Sequence, residues 1–133
     1  MFSGIVKSTG TIKKILSYKN GKSIGVKTNL KISQKDIGAS INCSGTCLTL
    51  EKINRNLYFF YISKETLKVT NFKKIKMNQV INMELSLKYG NPISGHFVQG
   101  HVDTTSILKE KKIVGKSWYL YFSMNKKLKK FII

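Results

Sequence analysis

Seven short runs rich in β-branched and aromatic residues, parted by Gly, Asn and Ser, decide what this chain can fold into. Residues 5–6, 11–16, 23–26, 40–43, 47–50, 57–62 and 80–85 each suit a strand, because branched and aromatic side chains pack well on a pleated, half-buried surface. Their spacing of roughly 8–15 residues is that of a small barrel or sandwich. Turn chemistry falls between them, at Lys19-Asn20-Gly21-Lys22, Ser44-Gly45 and Tyr89-Gly90-Asn91-Pro92. Short helices are expected only at residues 34–37, ahead of Gly38, and at residues 63–67, where Ser63 caps the turn. The 133 residues make one compact domain, or one and a fraction, long enough to bury a core without disulfide staples.

The chain carries 24 Lys plus Arg against 6 Asp plus Glu, a formal net charge of +18. Such an excess ordinarily points to nucleic acid or an anionic membrane. Its make-up argues otherwise: Arg55 is the only arginine, Ala39 the only alanine and Pro92 the only proline, while Lys, Ile and Asn abound. Those are residues of A/T-rich codons, so drift in gene composition accounts for a lysine-loaded surface. Base reading leans on the planar fork of arginine, and lysine alone supplies only the salt-dependent attraction to phosphate. No apolar run approaches the ~20 residues that span a bilayer. The start, Met1-Phe2-Ser3-Gly4-Ile5-Val6-Lys7, lacks the leader of a signal peptide, so a soluble cytoplasmic protein is expected. Cys43 and Cys47 are then free thiols.

The opening Gly4-Ile5-Val6-Lys7-Ser8-Thr9 recurs in kind as Gly100-His101-Val102-Asp103-Thr104-Thr105. Downstream of it, Lys116-Ser117-Trp118-Tyr119-Leu120-Tyr121-Phe122 resembles the strand region around Lys22-Ser23-Ile24-Gly25-Val26. The chain therefore reads as one complete barrel followed by the first strands of another copy. It ends on Phe131-Ile132-Ile133, an apolar finish that reads as cut short.

Several chemistries are disfavoured. Cys43, Cys47, His96 and His101 are zinc-ligand types, but the two pairs fit no compact zinc module, and the histidines would face opposite sides of a strand. The six acidic residues are scattered, and neither a nucleophile elbow nor a phosphate-cradling glycine loop is present. Small polar residues gather at glycine-rich bends, in residues 45–49, 64–66 and 94–103. They are either barrel corners or a site where backbone and hydroxyl groups meet a planar heterocycle and a sugar-alcohol chain.

Four stretches in order favour the second reading. Met1-Phe2-Ser3-Gly4-Ile5-Val6, the run from Gly38-Ala39-Ser40-Ile41-Asn42 to Gly45-Thr46-Cys47-Leu48-Thr49-Leu50, Lys64-Glu65-Thr66-Leu67 with Thr70-Asn71-Phe72, and Ser94-Gly95-His96-Phe97-Val98-Gln99-Gly100-His101-Val102-Asp103 resemble riboflavin synthase of the alpha-chain type, built from two tandem lumazine-binding barrels. The resemblance implies an all-β fold: a small Greek-key-like closed barrel over residues 1–96 and an incomplete second lumazine-binding barrel over residues 97–133. It implies a dismutation, free of cofactor and metal, in which two molecules of 6,7-dimethyl-8-ribityllumazine exchange a four-carbon unit to give riboflavin and 5-amino-6-(D-ribitylamino)uracil. It also implies a trimer, in which the first barrel of one subunit faces the second barrel of a neighbour.

Carried over residue by residue, the first-barrel pocket maps to Cys47, Leu48 and Thr49, to Tyr61, Ile62, Ser63, Lys64, Glu65 and Thr66, and to Gly100, His101 and Val102. Gly4, Ile5 and Val6 map to contacts with the other lumazine, and Phe2 to the segment near the reaction centre. His101 is either a proton-transfer group or a positioning one, and Cys47 either a nucleophile or a polar neighbour. Ser44 and Ser94 depart from the family's usual Asn and Gly, and Tyr61 and Ser63 from common choices near the pocket. The second Gly-x-Ser-Leu-Thr motif, which should hold the other substrate, is absent. Two other readings stay open: a barrel that binds lumazine or riboflavin without turnover, and a basic barrel that stacks single-stranded nucleic acid on Tyr58, Phe59 or Tyr61.

Overall fold

Branched side chains at every second position bury one face of each strand, and here those faces close into a ring. A computed structural model describes residues 1–90, 92–123, 128 and 131. Asn91 of the third expected turn and residues 125–133, Leu128 and Phe131 excepted, lie outside the described residues. The chain forms two compact units, Met1–Asp103 and Thr104–Ile133.

The first unit holds strands β1 (Ser8–Tyr18), β2 (Gly21–Thr28), β3 (Ser40–Cys43), β4 (Thr46–Asn54), β5 (Leu57–Ser63) and β6 (Val80–Leu85). They close into a barrel in the order β1-β2-β5-β4-β3-β6, each neighbouring pair antiparallel. Pairing of Ser8 with Met83 through Thr11 with Val80 joins the first strand to the last, so every strand of the ring has a neighbour on both sides along part of its length. Alternation is clean on β4, where Thr46, Leu48 and Leu50 are buried and Thr49 is exposed. Ile12, Ile24, Val26, Ile41, Leu50 and Phe60 meet inside the ring without measurable exposure. The expected all-β barrel is thus what forms.

Both expected helical turns are present. One is a 3-10 turn at Gln34–Asp36, and the other is α1 (Lys64–Val69), whose Thr66 N–H donates to Ser63 Oγ at 3.1 Å. Such a cap is worth about 1 kcal/mol. One expected strand does not form. Residues 5–6 follow Gly4, whose φ of 80° turns the chain out of extended geometry, and β1 begins only at Ser8. The unit also runs on past residue 96, because Phe2 and Val98 exchange backbone hydrogen bonds of 2.8 and 2.9 Å.

The second unit is an antiparallel hairpin of β7 (Leu108–Val114) and β8 (Ser117–Phe122). Every residue of both strands is exposed, including Trp118 and Phe122. Among the described residues no helix is long and apolar enough to cross a membrane.

Candidate functional site

β4 and β5 are tied at one end and parted at the other. A tight turn at Arg55-Asn56, with φ of 45° and 62°, joins them. From there the ladder runs through Asn54–Leu57, Ile53–Tyr58 and Lys52–Phe59 to Leu50–Phe60, where it stops. Beyond that point Thr49, Leu48 and Cys47 pair only with Ser40, Ile41 and Asn42 of β3. Tyr61, Ile62 and Ser63 pair only with Ser23, Lys22 and Gly21 of β2. The result is an open seam in the barrel wall between residues 47–49 and 61–63.

Backbone alternation decides what faces that seam. Leu50 N–H donates to Ala39 O at 3.0 Å and Leu50 O accepts from Gly38 N–H at 2.8 Å, so Leu50 turns its groups away from β5. Successive residues of a strand turn opposite ways, and Cys47 and Thr49 therefore turn theirs to the seam. Cys47 confirms the direction, for its N–H donates to Gly100 O at 2.8 Å. Gly100 is buried against Cys47, and a Cβ there would run into the Cys47 backbone. Residues 96–102 thus form a strap that passes from the Phe2–Val98 bridge to the mouth of the seam. His101 is exposed and Val102 half-buried at its end.

Of the stretches read from the sequence as one pocket, 47–49 and 61–63 flank the seam, and 100–102 meets it through the bond from Cys47 N–H to Gly100 O. Cys47, Tyr61, Ser63 and Thr66 are half-buried, and Thr49, Lys64 and Glu65 are exposed. Leu48 and Ile62 point into the core at 4% and 0% exposure, and by the same alternation the backbone of Leu48 turns to β3, so neither side chain faces the seam. Tyr61 Oη donates to Asn20 O at 2.7 Å, which holds the ring beside β2. No strand forms around the histidines; His96 and His101 are both exposed. Of the three aromatics that could stack nucleic acid, Phe59 is 4% exposed under the Lys52 ammonium and so withdrawn, while Tyr58 and Tyr61 are half-buried.

Residues 4–6 lie elsewhere. Ile5 lines a cavity of about 780 Å³ with Lys7, Leu30, Lys31 and Lys88, and Gly4 and Val6 line one of about 290 Å³ with Asn42, Ser44 and Asn82. Glu84, which the sequence pattern left unmarked, lines both. Phe2 is 1% exposed, so its ring anchors the segment and has no free face for a substrate.

The two thiols differ in kind. Burial, and then the neighbouring Cys47, push the Cys43 thiol from 9.0 up to about 12. A raised acid binds its proton more tightly when folded, so stability is full below about pH 9 and falls as pH rises from there toward about 12. A thiol reagent at pH 8 is expected to modify one cysteine, the half-buried Cys47, with Cys43 reacting only on unfolding. Rapid native labelling of both would contradict the burial of Cys43.

Comparison with known proteins places this geometry. A family model described as the lumazine binding domain matches residues 3–86. The chain belongs to the lumazine-binding family. Among relatives of this lumazine-binding chain, riboflavin synthase of Buchnera aphidicola subsp. Baizongia pistaciae is 38% identical over 126 residues, covering 94% of this chain and 59% of that protein. Riboflavin synthase of Photobacterium leiognathi is 36% identical over 133 residues, covering 99% and 61%. The lumazine-binding chain therefore spans about three-fifths of the length of these relatives. The crystal structure of LumP complexed with riboflavin superposes with a TM-score of 0.81 at 20% identity, over 100% of this chain and 72% of that one. LumP complexed with 6,7-dimethyl-8-(1'-D-ribityl) lumazine gives 0.76, also at 20% identity, with 71% of that chain covered. These two likenesses establish the lumazine-binding barrel as the fold.

Proposed function

We propose that the parted β4–β5 seam binds 6,7-dimethyl-8-ribityllumazine and that the chain serves the riboflavin synthase reaction. The observation that carries this reading is the seam, with strand-edge groups turned to a gap beside Gly100. The pyrimidinedione edge of a lumazine alternates carbonyl, N–H and carbonyl, the pattern a strand edge presents, so Thr49 is its partner across the missing rungs. The hydroxyls of Ser63 and Thr66, with Lys64 and Glu65, suit the ribityl chain.

Such a site needs few charges. A ring methyl of one lumazine loses its proton to give a delocalised anion, which attacks the second ring. Four carbons then pass from donor to acceptor, leaving riboflavin and 5-amino-6-(D-ribitylamino)uracil with all atoms accounted for. The protein holds two rings in contact and supplies hydrogen bonds to developing charge. His101, exposed next to Gly100, serves the proton, Cys47 is a polar neighbour of the ring, and no cofactor takes part.

One seam holds one ring, and the reaction needs two. Residues 4–6, which repeat residues 100–102 in kind, take the corresponding place against the second ring, with Phe2 holding them. The hairpin of β7 and β8 is the opening of a second lumazine-binding barrel, while residues 97–103, which carry the sequence repeat, pack with the first unit. The assembly is a trimer in the cytoplasm, with the exposed apolar face of β8 covered in it. A second reading, lumazine or riboflavin binding without turnover, is favoured by the likeness to LumP in complex with both ligands.

Titration of the purified chain with 6,7-dimethyl-8-ribityllumazine, while riboflavin fluorescence is followed, tests both readings. His101→Ala is expected to weaken lumazine binding by about tenfold, and Thr49→Val, which keeps the backbone turned to the seam and loses only a hydroxyl, to weaken it by less, both with the melting temperature in place. Riboflavin formed above the uncatalysed rate supports the enzyme, and binding without turnover supports the binding module. Equal affinity in both variants discards the seam as the site. Sedimentation of the same sample reads the stoichiometry, and a monodisperse monomer counts against the trimer.

A further inference from the structure

Glu84 is a carboxylate buried where the strand pattern points outward. On β6, Val80 and Asn82 are exposed and Ile81 and Met83 buried, so alternation puts Glu84 on the outer face, yet it is 5% exposed. Residues 1–7 cover it. Leu87 N–H donates to Met1 O at 2.9 Å, Phe2 and Val98 exchange their two bonds, His96 N–H donates to Ser3 O at 3.2 Å, and Lys7 N–H donates to Met83 O at 3.1 Å.

Within that run the Ser3 N–H goes to a side chain instead of a carbonyl. It donates to Glu84 Oε1 at 2.6 Å, and Ser3 Oγ donates to the same oxygen at 2.6 Å. Ser3 Oγ in turn accepts the Ile5 N–H at 3.3 Å. One carboxylate oxygen and one hydroxyl therefore fix the backbone on both sides of Gly4, whose φ of 80° turns the chain between them. Charge-assisted bonds of this length are strong, and a carboxylate buried without such donors would be costly. Residues 4–6 stand as a rib between two cavities, and Glu84, which lines both, is at its root.

We infer that Glu84 is a positioning residue: through Ser3 it latches the Gly4–Val6 edge in the place where a second ring is to be met. The inference rests on the proposed role of that edge in the riboflavin synthase reaction. It gives the buried carboxylate a task that an apolar residue at the same position would not perform.

Amide hydrogen exchange of the full chain, measured beside lumazine titration and turnover, tests the latch. Glu84→Ala is expected to speed exchange at Ser3 and Ile5 by roughly tenfold while Ile24 and Phe60 in the barrel keep their rates. Glu84→Gln, which keeps the volume and an acceptor oxygen, restores Ser3 protection, and Ser3→Ala speeds Ile5 alone. In turnover, kcat falls by about tenfold in Glu84→Ala with lumazine affinity at the seam within about twofold, and Glu84→Gln recovers most of it. Unchanged exchange at Ser3 and Ile5 in Glu84→Ala overturns the latch. Faster exchange at Ile24 and Phe60 along with them makes Glu84 a general support of the fold and overturns it too. Lost Ser3 protection beside an unchanged kcat overturns the positioning role. A wild-type chain that makes no riboflavin overturns the proposed function instead, and the exchange pattern then decides the latch alone.

Discussion

Gly100→Val is expected to lower lumazine affinity by more than about tenfold, roughly 1.4 kcal/mol or more, while the barrel melts within a few degrees of the parent. The strap reaches the seam only because Gly100 has no side chain: any Cβ would meet the Cys47 backbone. A valine must lift the strap, and with it go the bond from Cys47 N–H to Gly100 O and the placing of His101 and Val102. The cost to the fold is small, because none of the apolar residues packed inside the ring lies on the strap. The cost to the site is large, because orientation of a ring by several weak partners fails when one wall moves. Calorimetric titration with a thermal melt of the same sample separates the two. Retained affinity would show that the strap is no part of the site, and a collapsed melt would show that it is part of the core.

Phe60→Ala is expected to cost about 3–5 kcal/mol, a large share of the 5–15 kcal/mol that holds a domain of this kind together. Phe60 is 0% exposed and sits in register between Ile24 of β2 and Leu50 of β4, the last rung before the strands part. Removing the ring leaves a void that three strands would have to collapse to fill, and the closed ladder resists that movement. Its neighbour Phe59 faces the other way, beneath Lys52 at 5.0 Å, so Phe59→Ala costs less. Urea unfolding measures the difference as a shift in midpoint at unchanged slope. A shift worth less than about 1 kcal/mol for Phe60 would mean that the barrel interior is not one packed core.

The strand inventory was legible because burial imposes period two. The limits of β3 and β6 follow from Ser40-Ile41-Asn42-Cys43 and Val80-Ile81-Asn82-Met83-Glu84-Leu85 as written. β7 was not legible, since Lys109-Glu110-Lys111-Lys112 shows no apolar alternation and the pairing slips between Leu108 and Glu110. The candidate stretches were named through motif resemblance, but the reason 47–49 and 61–63 flank one seam was not legible. Which rungs of a ladder are missing depends on pairing across the ring, and no property of Thr49 or Tyr61 alone records it. Glu84 escaped for a related reason. A glutamate at an outward position reads as solvated until the segment that covers it, eighty-one residues away in sequence, is in place.

The barrel is shut by its first and last strands, which sets a timetable for its assembly. No ring exists until Leu85 can pair, and a topology dominated by such distant partners folds slowly, on the order of milliseconds to seconds. Residues 1–7 need β6 beneath them, and the strap needs Phe2 already seated before Val98 can bridge to it. The wall that Gly100 provides is therefore finished after everything that supports it. Ligand held at the seam then stabilises the product of folding without hastening its rate-limiting closure.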